Sequence, residues 1–164
     1  MGYSVRSLFL IALLSSASAM ALKPGDSIPD FVMPADKGWP KRISEQLGEP
    51  VLLVWLAGCD GCDKDLAMWQ DEIHSAVPGG LTSWFLYRPE EGDKTANAKW
   101  PMLKYSDDNQ QAWWFKETPA VMLVSPDGIV DHLFIKDVEY RKKEIAAEVA
   151  SWLDAKAWLQ SETE

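Results

Sequence analysis

The stretch that organises this sequence is residues 51–66, which read VLLVWLAGCDGCDKDL. Residues 51–57 form a continuous apolar run with the length and β-rich composition of a strand that is buried on both faces. The polar residues after this run are typical of the start of a helix. Both cysteines of the protein, Cys59 and Cys62, stand at this junction between strand and helix.

The spacing of the two cysteines predicts a redox pair. On a first helical turn, Cys59 and Cys62 share one face and come within the short distance that a disulfide requires. A helix N-terminus also offers unpaired amide groups and the positive end of the helix dipole, which lower the pKa of a cysteine thiol there. Cys59 is therefore the expected nucleophile, because the thiolate is the attacking species. Cys62, one turn further on, is the expected resolving thiol.

Residues 1–21 have the pattern of a cleaved signal peptide. Arg6 precedes a short apolar run, and the small residues after it allow cleavage after Ala19 or after Ala21. The run is shorter than the ~20 apolar residues that span a bilayer, and no later stretch approaches that length. We expect an exported, periplasmic protein whose one domain covers residues 22–164 and which keeps no stable membrane anchor after cleavage.

Composition narrows the possible partners. The chain carries 16 basic and 25 acidic residues, with a net charge of −9. Such an acidic protein is a poor candidate for binding nucleic acid or anionic membrane surfaces. A single domain of this length can bury a core without structural disulfides, which leaves the cysteine pair free for chemistry.

Apolar segments after the cysteines predict an alternation of strands and helices. We expect strands at 81–87, 101–105, 120–125 and 129–135, and helices after Cys59, at 109–115 and at 138–160. Parallel strands joined by crossover helices, with an antiparallel edge, predict an α/β sandwich around a mixed sheet. The cysteine pair would then lie at the carboxyl end of a central strand, where open α/β sheets place their sites.

These features resemble the thioredoxin superfamily, and most of all its exported TlpA/ResA-like branch of thiol–disulfide oxidoreductases. The likeness lies in the entry motif at 25–31, the strand that leads into Cys59-Asp-Gly-Cys62, Thr118-Pro119 before AVMLV, and the turn Pro126-Asp127-Gly128. The resemblance implies a thioredoxin-like three-layer α/β/α sandwich with a central mixed sheet. It also implies a redox-active centre that needs no bound cofactor and no metal.

The resemblance further implies roles for three residues outside the cysteine pair. Pro119 would be a cis-proline that faces the cysteines, and the backbone of Thr118 would bind the substrate peptide. Asp65, three positions after Cys62, matches an acid that manages the thiol proton in the TlpA-like branch. A solvated charge on the helix face is the other interpretation of Asp65.

Departures from the family pattern bear on the redox potential. Many relatives have Trp before the first cysteine and Pro before the second, where this chain has Gly58 and Gly61. Asp60 and Asp63 stand beside the thiols and oppose thiolate formation, and Lys64 offsets only part of their charge. We therefore expect a low-potential couple, which is typical of a reductant or an exchange protein rather than a disulfide donor.

The expected function is reduction or exchange of disulfides in other exported proteins, with electrons supplied by a membrane partner. Two alternatives stay open. A copper chaperone would bind Cu(I) through the cysteines, completed by a soft side chain from Met68, Met102 or His132. A peroxiredoxin-like antioxidant would share the N-terminal entry, although residues 55–57 lack the Pro and Thr that precede a peroxidatic cysteine.

Overall fold

The computed structural model describes residues 22–56, 62–87, 101–104 and 119–161, with backbone alone at 62–63 and 157–161. The helix expected at 109–115 lies outside the described residues. Within the described part, no helix is long and apolar enough to cross a membrane.

Seven strands and two α-helices make up the described fold. The strands are β1 (Val32–Met33), β2 (Lys41–Arg42), β3 (Val51–Trp55), β4 (Thr82–Tyr87), β5 (Met102–Lys104), β6 (Ala120–Val124) and β7 (Val130–Phe134). The helices are α1 (Cys62–Ala76) and α2 (Lys142–Ser161). A short 3-10 helix, Ile43–Gln46, follows β2.

The main sheet has five strands in the order β5-β4-β3-β6-β7, and β3 lies at its centre. β3 pairs in parallel with β4 and antiparallel with β6, while β5 extends the parallel half and β7 the antiparallel half. Every residue of β3 is buried, as is Leu56 after it. The predicted buried strand and the mixed sheet are therefore confirmed.

Side chains alternate between two apolar layers, one on each face of the sheet. Both helices cover one face, through side chains such as Leu66 and Trp69 of α1 and Ile145 and Val149 of α2. The N-terminal segment covers the other face with Leu22, Ile28, Phe31, Met33 and Ile43. The predicted α/β fold with helices packed on a central mixed sheet is confirmed.

Helix α2 begins at Lys142 rather than at the expected position 138. Residues 138–140 form a turn in which the Tyr140 amide donates to the Asp137 carbonyl at 3.0 Å. Asp137 has a φ of 51°, a left-handed conformation that a continuing helix does not allow. Val138 is nonetheless buried, and it stands seven residues before Ile145. The apolar periodicity therefore extended beyond the true start of the helix.

Backbone and side-chain bonds fasten the N-terminal segment to the edge of the sheet beside β5. The Lys104 amide donates to the Pro34 carbonyl at 2.9 Å, and the Asp36 amide donates to the Met102 carbonyl at 2.8 Å. The Asp36 carboxylate accepts a bond from the Tyr87 hydroxyl at 3.1 Å and lies 2.9 Å from the Lys104 ammonium.

The environment of Asp36 favours its charged form. Burial acts to raise the pKa of this carboxyl group, but hydrogen bonds from Lys104 and Tyr87 outweigh burial and hold the pKa below its ordinary value of 3.8. A carboxyl group whose pKa is lowered by folding stabilises the fold above its unfolded pKa. That contribution is lost as the pH falls through the folded value.

We predict that Asp36→Asn lowers the free energy of unfolding by about 1 kcal/mol at about pH 7, since the Lys104 partner is partly exposed and screened. The difference from wild type should be smaller at about pH 2, because protonation of the wild-type carboxylate at low pH weakens the same interactions. Urea denaturation at both pH values measures this. Asp71→Asn, which changes an exposed acid on α1, is the control. A deficit that is equal at both pH values would contradict the assignment.

Candidate functional site

One edge of the sheet collects the ends of three parallel strands. β3, β4 and β5 run in the same direction, so their carboxyl ends meet at this edge. After Leu56, whose amide donates to the Leu86 carbonyl at 2.9 Å, five residues lead to α1. This short connection keeps the start of α1 near the end of the central strand.

Cys62 is the residue at which the described part of α1 begins. A helix that follows the central strand within a few residues agrees with the expected order of strand and helix at this junction. Cys59 falls in the connection 57–61, outside the described residues, and the side chain of Cys62 is not described. The roles of the two thiols as nucleophile and resolving group stay predictions.

Pro119 lies at the same edge of the sheet as the start of α1. Trp55 at the end of β3 pairs with Ala120 at the start of β6 in an antiparallel register. One position further along, the register places Pro119 opposite Leu56. Pro119 is partly exposed, and Thr118 before it lies outside the described residues. Pro119 therefore stands at the edge of the sheet where the central strand ends, although it is far from that strand in sequence.

Asp65 is neither fully solvated nor buried. Its carboxylate is 52% exposed, and one oxygen lies 3.3 Å from the ammonium of Lys142 on α2. Asp65 stands three residues after Cys62 on α1, and positions with this spacing are neighbours on a helix surface. An ion pair with the second helix is therefore the observed environment of this acid. Its part in proton transfer stays a prediction.

Lys142 is a residue that the sequence reasoning missed. It is the one charged side chain among the buried residues of the described chain, with 7% of the side chain exposed. Its ammonium donates to the Glu139 carbonyl at 2.8 Å and lies 5.9 Å from the centre of the Trp69 ring. A signal was present in the sequence, because a lysine at the start of a helix opposes the helix dipole and needs a compensating partner.

The three soft side chains, of which any one was expected to complete a copper site, lie on three different elements. Met102 is on β5 and His132 is on β7, the two edge strands of the five-stranded sheet. Four strand spacings separate these edges, which is about 19 Å. Met68 is 42% exposed on α1. Among the side chains that the structure describes, no group of three or more His, Cys, Asp or Glu could hold a metal ion.

Comparison with known proteins identifies the fold. No protein-family model and no curated protein sequence matches the chain. A thiol:disulfide interchange protein from Bacteroides sp. is 19% identical with a TM-score of 0.63, over 82% of this chain and 93% of that one.

Solved structures of a second class of protein match the chain with similar TM-scores. Peroxiredoxin Q from Xanthomonas campestris is 15% identical with a TM-score of 0.65, over 82% of this chain and 99% of its own. AhpC from Enterococcus faecalis is 18% identical with a TM-score of 0.65, over 88% of this chain and 98% of its own. At sequence identities this low, structural similarity establishes the fold alone. The chain therefore has the thioredoxin-like fold that thiol:disulfide interchange proteins share with peroxiredoxins.

Proposed function

We propose that this protein is an exported thiol–disulfide oxidoreductase that reduces or exchanges disulfides in other exported proteins through Cys59 and Cys62. One observation carries the proposal: the described part of α1 begins at Cys62, just beyond the central strand, and Pro119 stands at the same edge of the sheet. The proposal puts the thiol pair at this edge, within reach of an extended substrate. A pair that served only to stabilise the fold would have no need of this position.

The proposed first step is attack on the substrate. The Cys59 thiolate attacks one sulfur of the substrate disulfide, which forms a mixed disulfide and releases the other substrate sulfur as a thiolate. Thr118 and Pro119 hold the substrate backbone beside the new bond. The released thiolate takes up a proton from solvent.

The proposed second step resolves the mixed disulfide. Cys62 loses its proton, with Asp65 as the proposed acceptor, and its thiolate attacks the Cys59 sulfur. The bond between Cys59 and the substrate breaks, the substrate leaves as a dithiol, and a Cys59–Cys62 disulfide forms. Two electrons have passed from the protein to the substrate. A membrane electron donor that reduces this disulfide would complete the cycle.

A peroxiredoxin-like activity is the second candidate, because two of the structures that share the fold are peroxiredoxins. In that reaction the Cys59 thiolate would attack a peroxide oxygen, which breaks the O–O bond and, with uptake of a proton, releases water or an alcohol and leaves a sulfenic acid on Cys59. The Cys62 thiol would then convert the sulfenic acid to the disulfide with loss of water. Residues 55–57 read Trp-Leu-Ala, without the Pro and Thr of that family ahead of the cysteine. Peroxide reduction is therefore the weaker candidate.

We predict that Cys62→Ser accumulates a mixed disulfide between Cys59 and a disulfide-containing substrate such as insulin, because the resolving thiol is absent. Cys59→Ser should accumulate none and should have no reductase activity. Non-reducing electrophoresis with mass spectrometry of the adduct identifies the bonded cysteine.

The same samples separate the two candidates. The wild-type protein should reduce insulin with dithiothreitol as electron source and should consume hydrogen peroxide no faster than Cys59→Ser does. Trapping through Cys62 in the Cys59→Ser variant would reverse the assigned roles. Rapid peroxide consumption without insulin reduction would replace the proposed function with the peroxidase.

We predict that the protein purified from the periplasm of a Gram-negative host begins at Met20 or Leu22, because the signal peptide is removed. Either start keeps Leu22, which is buried in the core. Intact-mass measurement identifies the N-terminus. Replacement of both Ala19 and Ala21 by Leu should block cleavage and serves as the control. Wild-type protein that retains residues 1–21 in the cytoplasm would contradict export.

A further inference from the structure

Lys142 carries its ammonium group in a buried position between the two helices. A charged amine taken out of water is costly unless it is paired and hydrogen-bonded. Within the described contacts, the Glu139 carbonyl at 2.8 Å and the Trp69 ring at 5.9 Å supply uncharged partners, and Asp65 at 3.3 Å supplies the opposite charge. The lysine is therefore held at one place by three groups rather than extended into solvent.

This pair connects α2 to the first turn of the helix that carries the resolving cysteine. Asp65 is on α1, one turn after Cys62, and Lys142 is the first residue of α2. The lysine thereby fixes both the charge balance and the position of the acid next to Cys62. Without it, the Asp65 carboxylate would have no described counterion on the helix that carries Cys62, and the acidic residues Asp60 and Asp63 are also close in sequence.

We infer that Lys142 is a positioning residue for the redox centre: acting through Asp65, it offsets the acidic charge around the Cys59–Cys62 pair and so stabilises the thiolate of the reduced form. The inference rests on the proposed function of the cysteine pair. Its physical basis is that a nearby negative charge disfavours a thiolate and a nearby positive charge favours one. The disulfide form carries no such charge, so the effect falls on the balance between the two redox forms.

The test is the equilibrium constant between the dithiol and disulfide forms, measured against glutathione with mass-spectrometric counting of free thiols. Lys142→Met, which keeps an unbranched side chain one atom shorter and removes its charge, should shift the constant towards the disulfide about tenfold. For a two-electron couple this corresponds to a potential about 30 mV lower. Lys142→Arg keeps the charge and should stay close to wild type.

Two further variants separate the effect of the Lys142 charge from the effect of losing any positive charge on α2. Lys143, the next residue along the chain, has an exposed side chain. Lys143→Met removes the same charge there and should change the equilibrium constant less than about twofold. Asp65→Asn removes the carboxylate and should shift the constant in the opposite direction, towards the dithiol. Circular dichroism of each variant checks that it is folded.

The outcomes distinguish this inference from the function on which it rests. A wild-type protein that forms no Cys59–Cys62 disulfide would overturn both. A working wild type whose constant is unchanged in Lys142→Met, or changed equally by Lys142→Arg, would overturn the inference alone. If Lys142→Met does not fold, Asp65→Asn decides, and the absence of the opposite shift overturns the inference.

Discussion

The central strand β3 is the constraint on which the other elements depend. Its five residues are buried on both faces, so the chain must supply a layer above and below it and a pairing strand on each side. Helices α1 and α2 form one layer and the N-terminal segment contributes to the other. The parallel pairing with β4 and the antiparallel pairing with β6 then place the start of α1 and Pro119 at a single edge. The position of the candidate site is a consequence of this burial.

The sequence predicted the sheet well because its signals there are strong. A run such as 51–57 has no polar residue that would let it face water, and the turn at 126–128 marks a hairpin between two apolar segments. The start of α2 was missed because Val138 keeps the apolar period of the helix while it lies in a turn. Periodicity reports which side chains are buried, and a residue in a turn can be buried as well as one in a helix.

Only part of the candidate site could be predicted from the sequence, because one of its contacts depends on how the helices pack. Local spacing relates Cys62 to Asp65, because both belong to one helix, and the family likeness adds Pro119. No local rule relates Asp65 to Lys142, since their contact depends on how two helices pack on the sheet. The contact also changes the interpretation of Asp65, which is now a partner in an ion pair with a buried lysine. Charge estimates based on neighbours in sequence alone counted Lys64 and omitted Lys142.

The central claim is that Cys59 and Cys62 form a couple that donates electrons to other disulfides. Lys142 offsets some of the acidic charge near the thiols, but an effect of about 30 mV is small beside the gap of about 150 mV between thioredoxin and the strongest oxidants. The most direct test is the reduction potential of the wild-type couple, obtained by equilibration against glutathione or dithiothreitol. The account predicts a value near or below about −270 mV, and a value near about −120 mV would contradict it.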